Sequence, residues 1–329
     1  MAKHIHQSFP SELRFDSISR DWVVIATGRA KRPEMFKKEK RVRSDISRAK
    51  CPFCRRDQSE KVLLDLPNVF VISNKYPSFL PSPKLEKRSE NHLYQAMNAV
   101  GFCEVVVTKD HQKSLAQLSL PAVKEVIDSY QGRYLDLMEK AHVNYISVFH
   151  NHGLEAGASQ PHPHSQIITS PLIDHDLEGA LLNAKRYFKK NKHCVYCRMM
   201  EWEKKVGERI VFENEDFLVL APFASKAAFE LIVSPKNHLP YFERINEKEK
   251  AGLAEAFKEA LRKLHKGLGD PAYNFYLHTS PCQGKDYSYY HWHWTILPKT
   301  ATWAGFEIGT RMEISTIEPE KAAEYLRKQ

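Results

Sequence analysis

The chain has 329 residues, 42% of them hydrophobic, and carries a formal net charge of +9. This length suits two domains of ordinary size, and the apolar content is enough to build a core. No apolar run approaches the length of a membrane span, and the first residues lack the apolar core of a secretory signal, so we expect a cytoplasmic protein with no membrane partner.

Much of the positive charge lies between Lys31 and Lys50. Such a run could bind nucleic acid, acidic lipid or phosphorylated small molecules, and it is equally typical of a solvated loop that binds none of them. The aromatic residues do not interleave with the basic run as a stacking platform for bases requires. We therefore expect no nucleic-acid partner, although the charge by itself does not choose among the other partners.

Four of the six cysteines form two Cys-x-x-Cys pairs, Cys51 with Cys54 and Cys194 with Cys197. A reducing compartment disfavours disulfides, so metal binding is the better interpretation of these pairs. After each pair the same predicted elements follow in the same order. They are two apolar strands, a histidine, an amphipathic helix, a third strand, a His-x-His and a last strand. The predicted strands are 69–73, 104–108, 145–149 and 167–168 in the first half and 217–220, 230–234, 274–277 and 295–297 in the second.

The two predicted helices have apolar stripes at helical spacing, which indicates that one side of each helix faces a core. Pro121 is a start signal for the first helix, and Asn246 with Glu249 is one for the second. Gly267 and Gly269 are expected to stop the second helix. The stripes are Val123, Val126, Ile127, Tyr130, Tyr134 and Leu137, and then Leu253, Phe257, Leu261, Leu264 and Leu268.

The matching order of elements indicates duplication of one unit. His111 and His162 are 51 residues apart, and His238 and His291 are 53 apart. Strands joined through hairpins, with one long helix in each unit, predict an α+β fold of mostly antiparallel sheet with helices packed on it. We place the N-terminal unit at 1–178 and the C-terminal unit at 179–329. Neither a Gly-x-Gly-x-x-Gly nor a Gly-Lys-Ser/Thr loop occurs in the sequence.

Each half offers two thiolates and two imidazoles, a donor set that suits tetrahedral zinc. Four protein ligands leave no position for an activated water, so we predict two structural zinc ions per chain. In the second half His291 and His293 compete for the ligand role, and the register of the repeat favours His291. The predicted ligands are Cys51, Cys54, His111 and His162 in the first half, and Cys194, Cys197, His238 and His291 in the second.

The segment 157–166, Gly-Ala-Ser-Gln-Pro-His-Pro-His-Ser-Gln, indicates chemistry on a phosphate. Alternate side chains of an extended segment share a face, so His162 and His164 can face one site. Small residues upstream let main-chain N–H groups approach an anion closely.

Further short motifs occur from one end of the chain to the other. They are segments 14–25, 29–33, 51–54, 110–111, 149–151, 157–159, 162–166 and 305–309, together with Asn74. With these motifs the chain resembles the galactose-1-phosphate uridylyltransferase family, a branch of the histidine-triad superfamily with two tandem histidine-triad-like halves. The two Cys-x-x-Cys pairs and the Gly-Phe-Glu-Ile-Gly-Thr end are also similar to the sister branch of ADP-glucose phosphorylases.

The resemblance implies that His164 attacks the α-phosphorus of a nucleotide sugar and forms a covalent nucleotidyl-histidine. Neutral imidazole suits this chemistry because it is a competent nucleophile near pH 7. The family's glutamine corresponds to Gln166, which would hydrogen-bond a phosphoryl oxygen. The residues at positions that hold the nucleotide and diphosphate in the family are Arg29, Arg32, Asn74, Asn151, Gly157 and Ser159.

The family also implies a hexose site that includes Phe306 and Glu307, with Glu307 reaching the active site of a neighbouring subunit in a homodimer. Uridylyltransferases carry Lys-Phe shortly before the Gly-aromatic-Glu motif, whereas Ala301 to Ala304 precede it here. This departure counts against the assignment of galactose 1-phosphate as the acceptor.

Four functions remain open at this point. The leading one moves UMP from UDP-glucose to galactose 1-phosphate by ping-pong kinetics, and the second transfers AMP from ADP-glucose to inorganic phosphate. Gln166 in place of a third histidine counts against a dinucleotide hydrolase, and the phosphate loop counts against a zinc-stabilised nucleic-acid-binding protein. Because the loop before His293 lacks Gly-x-Ser and is rich in tyrosine, we expect one working active site per chain.

Overall fold

The structure is a computed structural model, and it describes residues 11–26, 46–56 and 61–329. Its centre is a ten-stranded sheet in which every pairing is antiparallel, with strand order β10-β11-β12-β14-β13-β8-β9-β7-β4-β3. The strands of this sheet are β3 (Val62–Asp65), β4 (Val69–Ser73), β7 (Cys103–Thr108), β8 (Tyr145–His152), β9 (His164–Ser170), β10 (Ile210–Glu213), β11 (Phe217–Leu220), β12 (Leu231–Pro235), β13 (Tyr273–His278) and β14 (His293–Pro298).

The strand order repeats itself about the centre of the sheet, since the five strands of one half appear in mirrored order in the other. The halves meet where β8 pairs with β13, with Tyr273 opposite His152 and Phe275 opposite His150. The two units therefore share one continuous sheet. This architecture confirms the α+β class and the tandem arrangement.

Two long helices, α1 (Leu120–Met138) and α4 (Glu247–Leu268), pack on one face of the sheet. All residues of both predicted stripes are buried. Ser119 caps α1 through its hydroxyl, with Pro121 in the first turn, and Asn246 and Glu249 form a capping box on α4. These contacts satisfy N–H groups that the first turn leaves without intrahelical partners.

The prediction for the end of α4 is right for Gly269 and wrong for Gly267. Gly269 is the C-cap, with φ at 71° in the left-handed region that favours glycine. Gly267 lies inside the helix, and a Cβ there would meet Leu326 and Tyr325 at 3.3 and 3.2 Å. The missing side chain at Gly267 lets the C-terminal helix pack closely against α4. A larger residue at this position would push the C-terminal helix away.

The remaining elements lie around the main sheet. Strands β1, β2 and β15 form a small sheet, and β5 and β6 form an exposed hairpin. None of the helices in the described ranges combines the length and apolar character needed to cross a bilayer. The bounds are β1 (Glu12–Phe15), β2 (Trp22–Ile25), β5 (Lys87–Glu90), β6 (Tyr94–Met97), β15 (Ile314–Ser315), α2 (His175–Asn191), α3 (Val195–Val206), α5 (Gly305–Thr310) and α6 (Pro319–Arg327), with 3₁₀ turns at Leu154–Ala156 and Phe242–Arg244.

Alternation along β9 determines which side chains face the helices. The Ser165 hydroxyl lies 2.6 Å from the Tyr130 hydroxyl of α1, and Ile167 joins the core beneath that helix. His164 and Gln166 therefore face the opposite side of the sheet, which the long helices leave uncovered.

Candidate active site and metal centres

The four predicted ligands of the first half converge on one point. The ligand atoms of Cys51, Cys54, His111 and His162 all lie within 4.8 Å of one another. The Cys54 Sγ atom lies 3.2 Å from His111 Nδ1, and Cys51 Sγ lies 3.3 Å from His162 Nδ1. Segments far apart in the chain meet here, namely the Cys-x-x-Cys turn, the end of β7 and the start of β9.

Hydrogen bonds fix the tautomers of the two histidines in this set. His111 Nε2 lies 2.6 Å from the Ile46 carbonyl oxygen, and His162 Nε2 lies 2.7 Å from that of Thr108. A carbonyl only accepts, so each Nε2 carries the proton and each Nδ1 presents a lone pair. The two Nδ1 atoms are 3.1 Å apart. Two facing lone pairs repel unless a cation lies between them, and backbone partners on the distal nitrogens are typical of zinc-bound histidine.

The second half repeats this arrangement with Cys194, Cys197, His238 and His291, whose ligand atoms also lie within 4.8 Å of one another. Cys197 Sγ lies 3.4 Å from His238 Nδ1 and 3.5 Å from His291 Nδ1. The distal nitrogens again meet carbonyl oxygens, of Ser288 at 2.7 Å and Pro235 at 2.9 Å. His293 is not in this cluster, so the geometry supports the choice of His291.

His164 opens β9, directly beyond the first cluster. Its Nδ1 donates to the His162 carbonyl oxygen at 2.9 Å, which leaves the lone pair on Nε2. The Phe53 ring packs against the imidazole with centroids 5.0 Å apart. Burial lowers the pKa of His164 below its ordinary value, which favours the neutral form. A neutral imidazole with a lone pair on Nε2 can act as a nucleophile.

Gln166 follows His164 on the same face of β9, half-buried. Within the described ranges its side-chain amide has no hydrogen-bond partner. The neighbouring loop contains Gly157, whose φ of 85° places it in the left-handed region. Ser159 is exposed on this loop, and Asn151 lies on β8 beside it, its Oδ1 accepting from Asn274 Nδ2 at 2.8 Å. The Gly157 N–H donates to the Leu154 carbonyl oxygen at 2.9 Å, whereas within the described ranges the Ser159 hydroxyl and the Asn151 Nδ2 have no hydrogen-bond partner and are available to a ligand.

The other predicted binding residues differ in their placement. Asn74 follows β4, and its Oδ1 accepts from the backbone N–H of Tyr76 at 2.9 Å. Arg29 and Arg32 lie outside the described residues. Glu307 caps its own helix α5 by accepting from the Ala304 N–H at 3.0 Å, while Phe306 is exposed.

A cavity of about 1180 Å³ lies beside the loop, and both halves of the chain line it. His162 and Asn151 contribute from the first half. Lys226 and Lys299 contribute from the second half, and neither Phe306 nor Glu307 is among the described lining residues. Sequence reasoning missed the two lysines, since each is an isolated cation outside any motif.

The N-terminal domain of galactose-1-phosphate uridyl transferase matches this sequence over residues 3–173, and the C-terminal domain matches residues 181–328. The chain belongs to the galactose-1-phosphate uridylyltransferase family.

Among its relatives, an ADP-glucose phosphorylase of Arabidopsis thaliana is 31% identical and covers 96% of this chain and 92% of its own length. A galactose-1-phosphate uridylyltransferase of Thermotoga maritima is 29% identical, covering 96% of this chain and 98% of its own. The crystal structure of an Arabidopsis thaliana ADP-glucose phosphorylase with bound ADP-glucose superposes with a TM-score of 0.81 at 30% identity, over 97% of this chain and 99% of that one. The similarity thus extends to both branches and spans the whole chain.

The second half of this family member carries a counterpart of the His164 site with different surroundings. His293 opens β14, and its Nδ1 meets the His291 carbonyl oxygen at 3.3 Å. Its ring stacks on His278 with centroids 4.7 Å apart, and Tyr196 packs against it at 5.3 Å. Thr295 stands where Gln166 stands in the first half. Aromatic rings thus pack against the second imidazole, which lines a separate cavity of about 1650 Å³ together with Thr295.

Proposed function

We propose that this protein is a nucleotidyltransferase that moves UMP from UDP-glucose to galactose 1-phosphate through a covalent nucleotidyl-His164. The observation that carries the proposal is the orientation of His164, whose Nδ1–H is committed to the His162 carbonyl so that Nε2 presents its lone pair. Family membership and relatives that carry this activity in their names support the choice of reaction.

In the first half-reaction Nε2 attacks the α-phosphorus of the nucleotide sugar. The N–P bond forms as the bond from phosphorus to the bridging oxygen breaks, and the bond's electron pair leaves with sugar 1-phosphate. The imidazole then carries a positive charge, which its Nδ1–H shares with the His162 carbonyl. In the second half-reaction a phosphate oxygen of galactose 1-phosphate attacks the same phosphorus, and the N–P electrons return to Nε2.

Gln166 is proposed to donate its side-chain amide to a non-bridging oxygen of the transferring phosphoryl group. Its position on the face of His164 and its lack of a partner in the described structure support this role. Gly157, Ser159 and Asn151 are proposed to hold the diphosphate, and the exposed Ser159 hydroxyl beside the Asn151 amide supports this role. Arg29, Arg32 and Asn74 are proposed to bind the nucleotide.

Each chain is proposed to hold two zinc ions, one in each Cys/Cys/His/His set. The facing Nδ1 lone pairs and the carbonyl partners of the distal nitrogens support this assignment. Zinc supplies a rigid tetrahedral anchor. His162, held in this way, positions the start of β9 and so the imidazole of His164, two residues further on.

ADP-glucose phosphorolysis, with AMP transferred to inorganic phosphate by the same histidine, is the second candidate function. The 31% identity with an ADP-glucose phosphorylase and the Gly-Phe-Glu-Ile-Gly-Thr segment at 305–310 favour it. The chemistry at His164 is the same in both reactions, so the two differ only in the base and the acceptor.

We further propose a cytoplasmic homodimer. Thiolates that bind zinc suit a reducing compartment. The exposed side chains of Phe306 and Ile308 support the dimer, because they flank Glu307 and are not among the described residues that line the cavity of their own chain. Glu307 is proposed to contact the hexose in the neighbouring subunit.

The function is tested by incubating the protein with UDP-glucose and ADP-glucose, each labelled in the nucleotide, and quenching in base. We expect one of them to leave acid-labile label on the protein, and His164→Ala to abolish labelling while nucleotide-sugar binding survives. Parallel lines in two-substrate kinetics would accompany this result. Intersecting lines, or labelling that persists in His164→Ala, would contradict the proposed intermediate.

A further inference from the structure

The half-buried side chain of Lys299 extends from the end of β14 and lines the same cavity as His162 and Asn151. We propose that the Lys299 ammonium binds the phosphate group that enters and leaves beside His164, that is, the phosphate of a sugar 1-phosphate or inorganic phosphate. This inference rests on the proposed function and adds to it a binding residue for the exchanged phosphate.

The sheet places Lys299 at the edge where the phosphate loop begins. The backbone N–H of Lys299 donates to the Ala272 carbonyl at 2.7 Å, and Tyr273 pairs with both Pro298 on β14 and His152 on β8. Three strand spacings separate β14 from β9, so the two backbones are roughly 14 Å apart. A lysine side chain, an imidazole and one diphosphate are together long enough to span a distance of this size.

The charge of Lys299 lacks an anionic partner. Burial lowers the pKa of this ammonium, and no carboxylate acts against that effect. Across the described ranges its Nζ makes no hydrogen bond or ion pair, and it lies over the Trp303 ring, 5.5 Å from Nζ to the centroid.

The neighbouring cation in the same cavity is different. Burial also acts to lower the pKa of Lys226, but the carboxyl groups of Glu313 and Glu230 outweigh it, and the pKa is raised. Lys226 therefore has its counter-charge within the protein. Lys299 does not, and an unpaired cation in a partly buried site is costly until an anion arrives. A phosphate dianion suits it because charge-assisted hydrogen bonds to phosphate are strong.

The exchanged phosphate occupies the same place in both half-reactions, because the second half-reaction is the reverse of the first with another phosphate compound. Lys299 would therefore hold the β-phosphate of the nucleotide sugar, then the departing phosphate, then the acceptor. It would contact no part of the nucleotide that stays on His164. This difference separates Lys299 from a residue that binds the nucleoside or the α-phosphate.

The test compares ligands with and without the second phosphate. Calorimetry would measure the binding of UDP-glucose against UMP, and of ADP-glucose against AMP, to the wild type, Lys299→Met and Lys299→Arg. We expect Lys299→Met to weaken binding of the accepted nucleotide sugar by about 10- to 100-fold, the usual effect of one charged hydrogen bond. Binding of the matching monophosphate should stay within about two-fold, and Lys299→Arg should restore part of the loss. Lys321→Met, an exposed lysine paired with Glu318, is the control.

Acceptor kinetics distinguish the two sources of phosphate. We expect the KM of either galactose 1-phosphate or inorganic phosphate, whichever the wild type accepts, to rise in Lys299→Met. Equal weakening of the nucleotide sugar and its monophosphate, or no weakening of either, would overturn the role of Lys299 while leaving the His164 reaction intact. A wild type that acquires no label from either nucleotide sugar would instead overturn the proposed function, and the binding comparison would still decide Lys299.

Discussion

Replacing Gln166 with alanine separates its catalytic role from any structural one. The side chain is half-buried, and within the described structure it holds no partner whose loss would leave a buried polar group unpaired. We therefore expect an unfolding free energy within about 0.5 kcal/mol of wild type, which corresponds to a shift in Tm of about 1 °C.

The rate should respond very differently. Gln166 lies about 6.8 Å along the strand from His164, on the same face. Its amide is thus within reach of an oxygen on a phosphorus bonded to Nε2. Losing one donor to that developing charge costs about 2.7 to 4 kcal/mol, so nucleotidylation should slow by about 10²- to 10³-fold.

Single-turnover labelling with a quenched-flow instrument measures this step directly. Thr295→Ala is the matched control, because Thr295 occupies the corresponding place on β14 in the second half. Its labelling rate should match wild type. A Gln166→Ala rate within about two-fold of wild type would refute the reasoning, and so would a fall in Tm large enough to account for the lost activity.

Three further predictions follow from the two halves of the chain. Metal analysis of protein never exposed to chelator should find close to two zinc ions per chain, and Cys51→Ser should lower Tm and zinc content far more than the rate per folded molecule; a content near zero would contradict the assignment. His293→Ala should leave turnover within about three-fold of wild type, the usual outcome outside a reacting site, whereas His291→Ala should reduce metal content; loss of labelling in a folded, zinc-replete His293→Ala would mean that the second half carries chemistry. Gly157→Ala should cost about 1 to 2 kcal/mol of stability, because its φ of 85° strains any side chain, and calorimetry should show weaker nucleotide-sugar binding; unchanged binding would argue against contact between this loop and the diphosphate.

Much of the site could be predicted because its metal ligands and its histidine pair lie in short sequence motifs. The Cys-x-x-Cys pairs and the histidines at matching intervals identified all eight members of the two clusters that the structure brings together. The alternation of an extended strand predicted that His162 and His164 face one site, and the Phe53 ring packs against both imidazoles. The sequence did not predict Lys226 and Lys299 as site residues, because a single lysine outside any motif forms no recognisable pattern. Only the structure shows that both side chains line the cavity.

The sequence by itself determined the local elements and their duplication, since periodicity, caps and spacing depend on neighbours in the chain. It identified both long helices, their buried stripes and the Gly269 stop. Only the tertiary structure decided that the halves join into one sheet through β8 and β13, because strand pairing between distant segments depends on their mutual fit. The same holds for Gly267, whose missing side chain admits α6. The position of the His164 lone pair likewise depends on the hydrogen bond from Nδ1 to the His162 carbonyl oxygen. Every residue has a backbone carbonyl, so the residue types alone do not predict this bond.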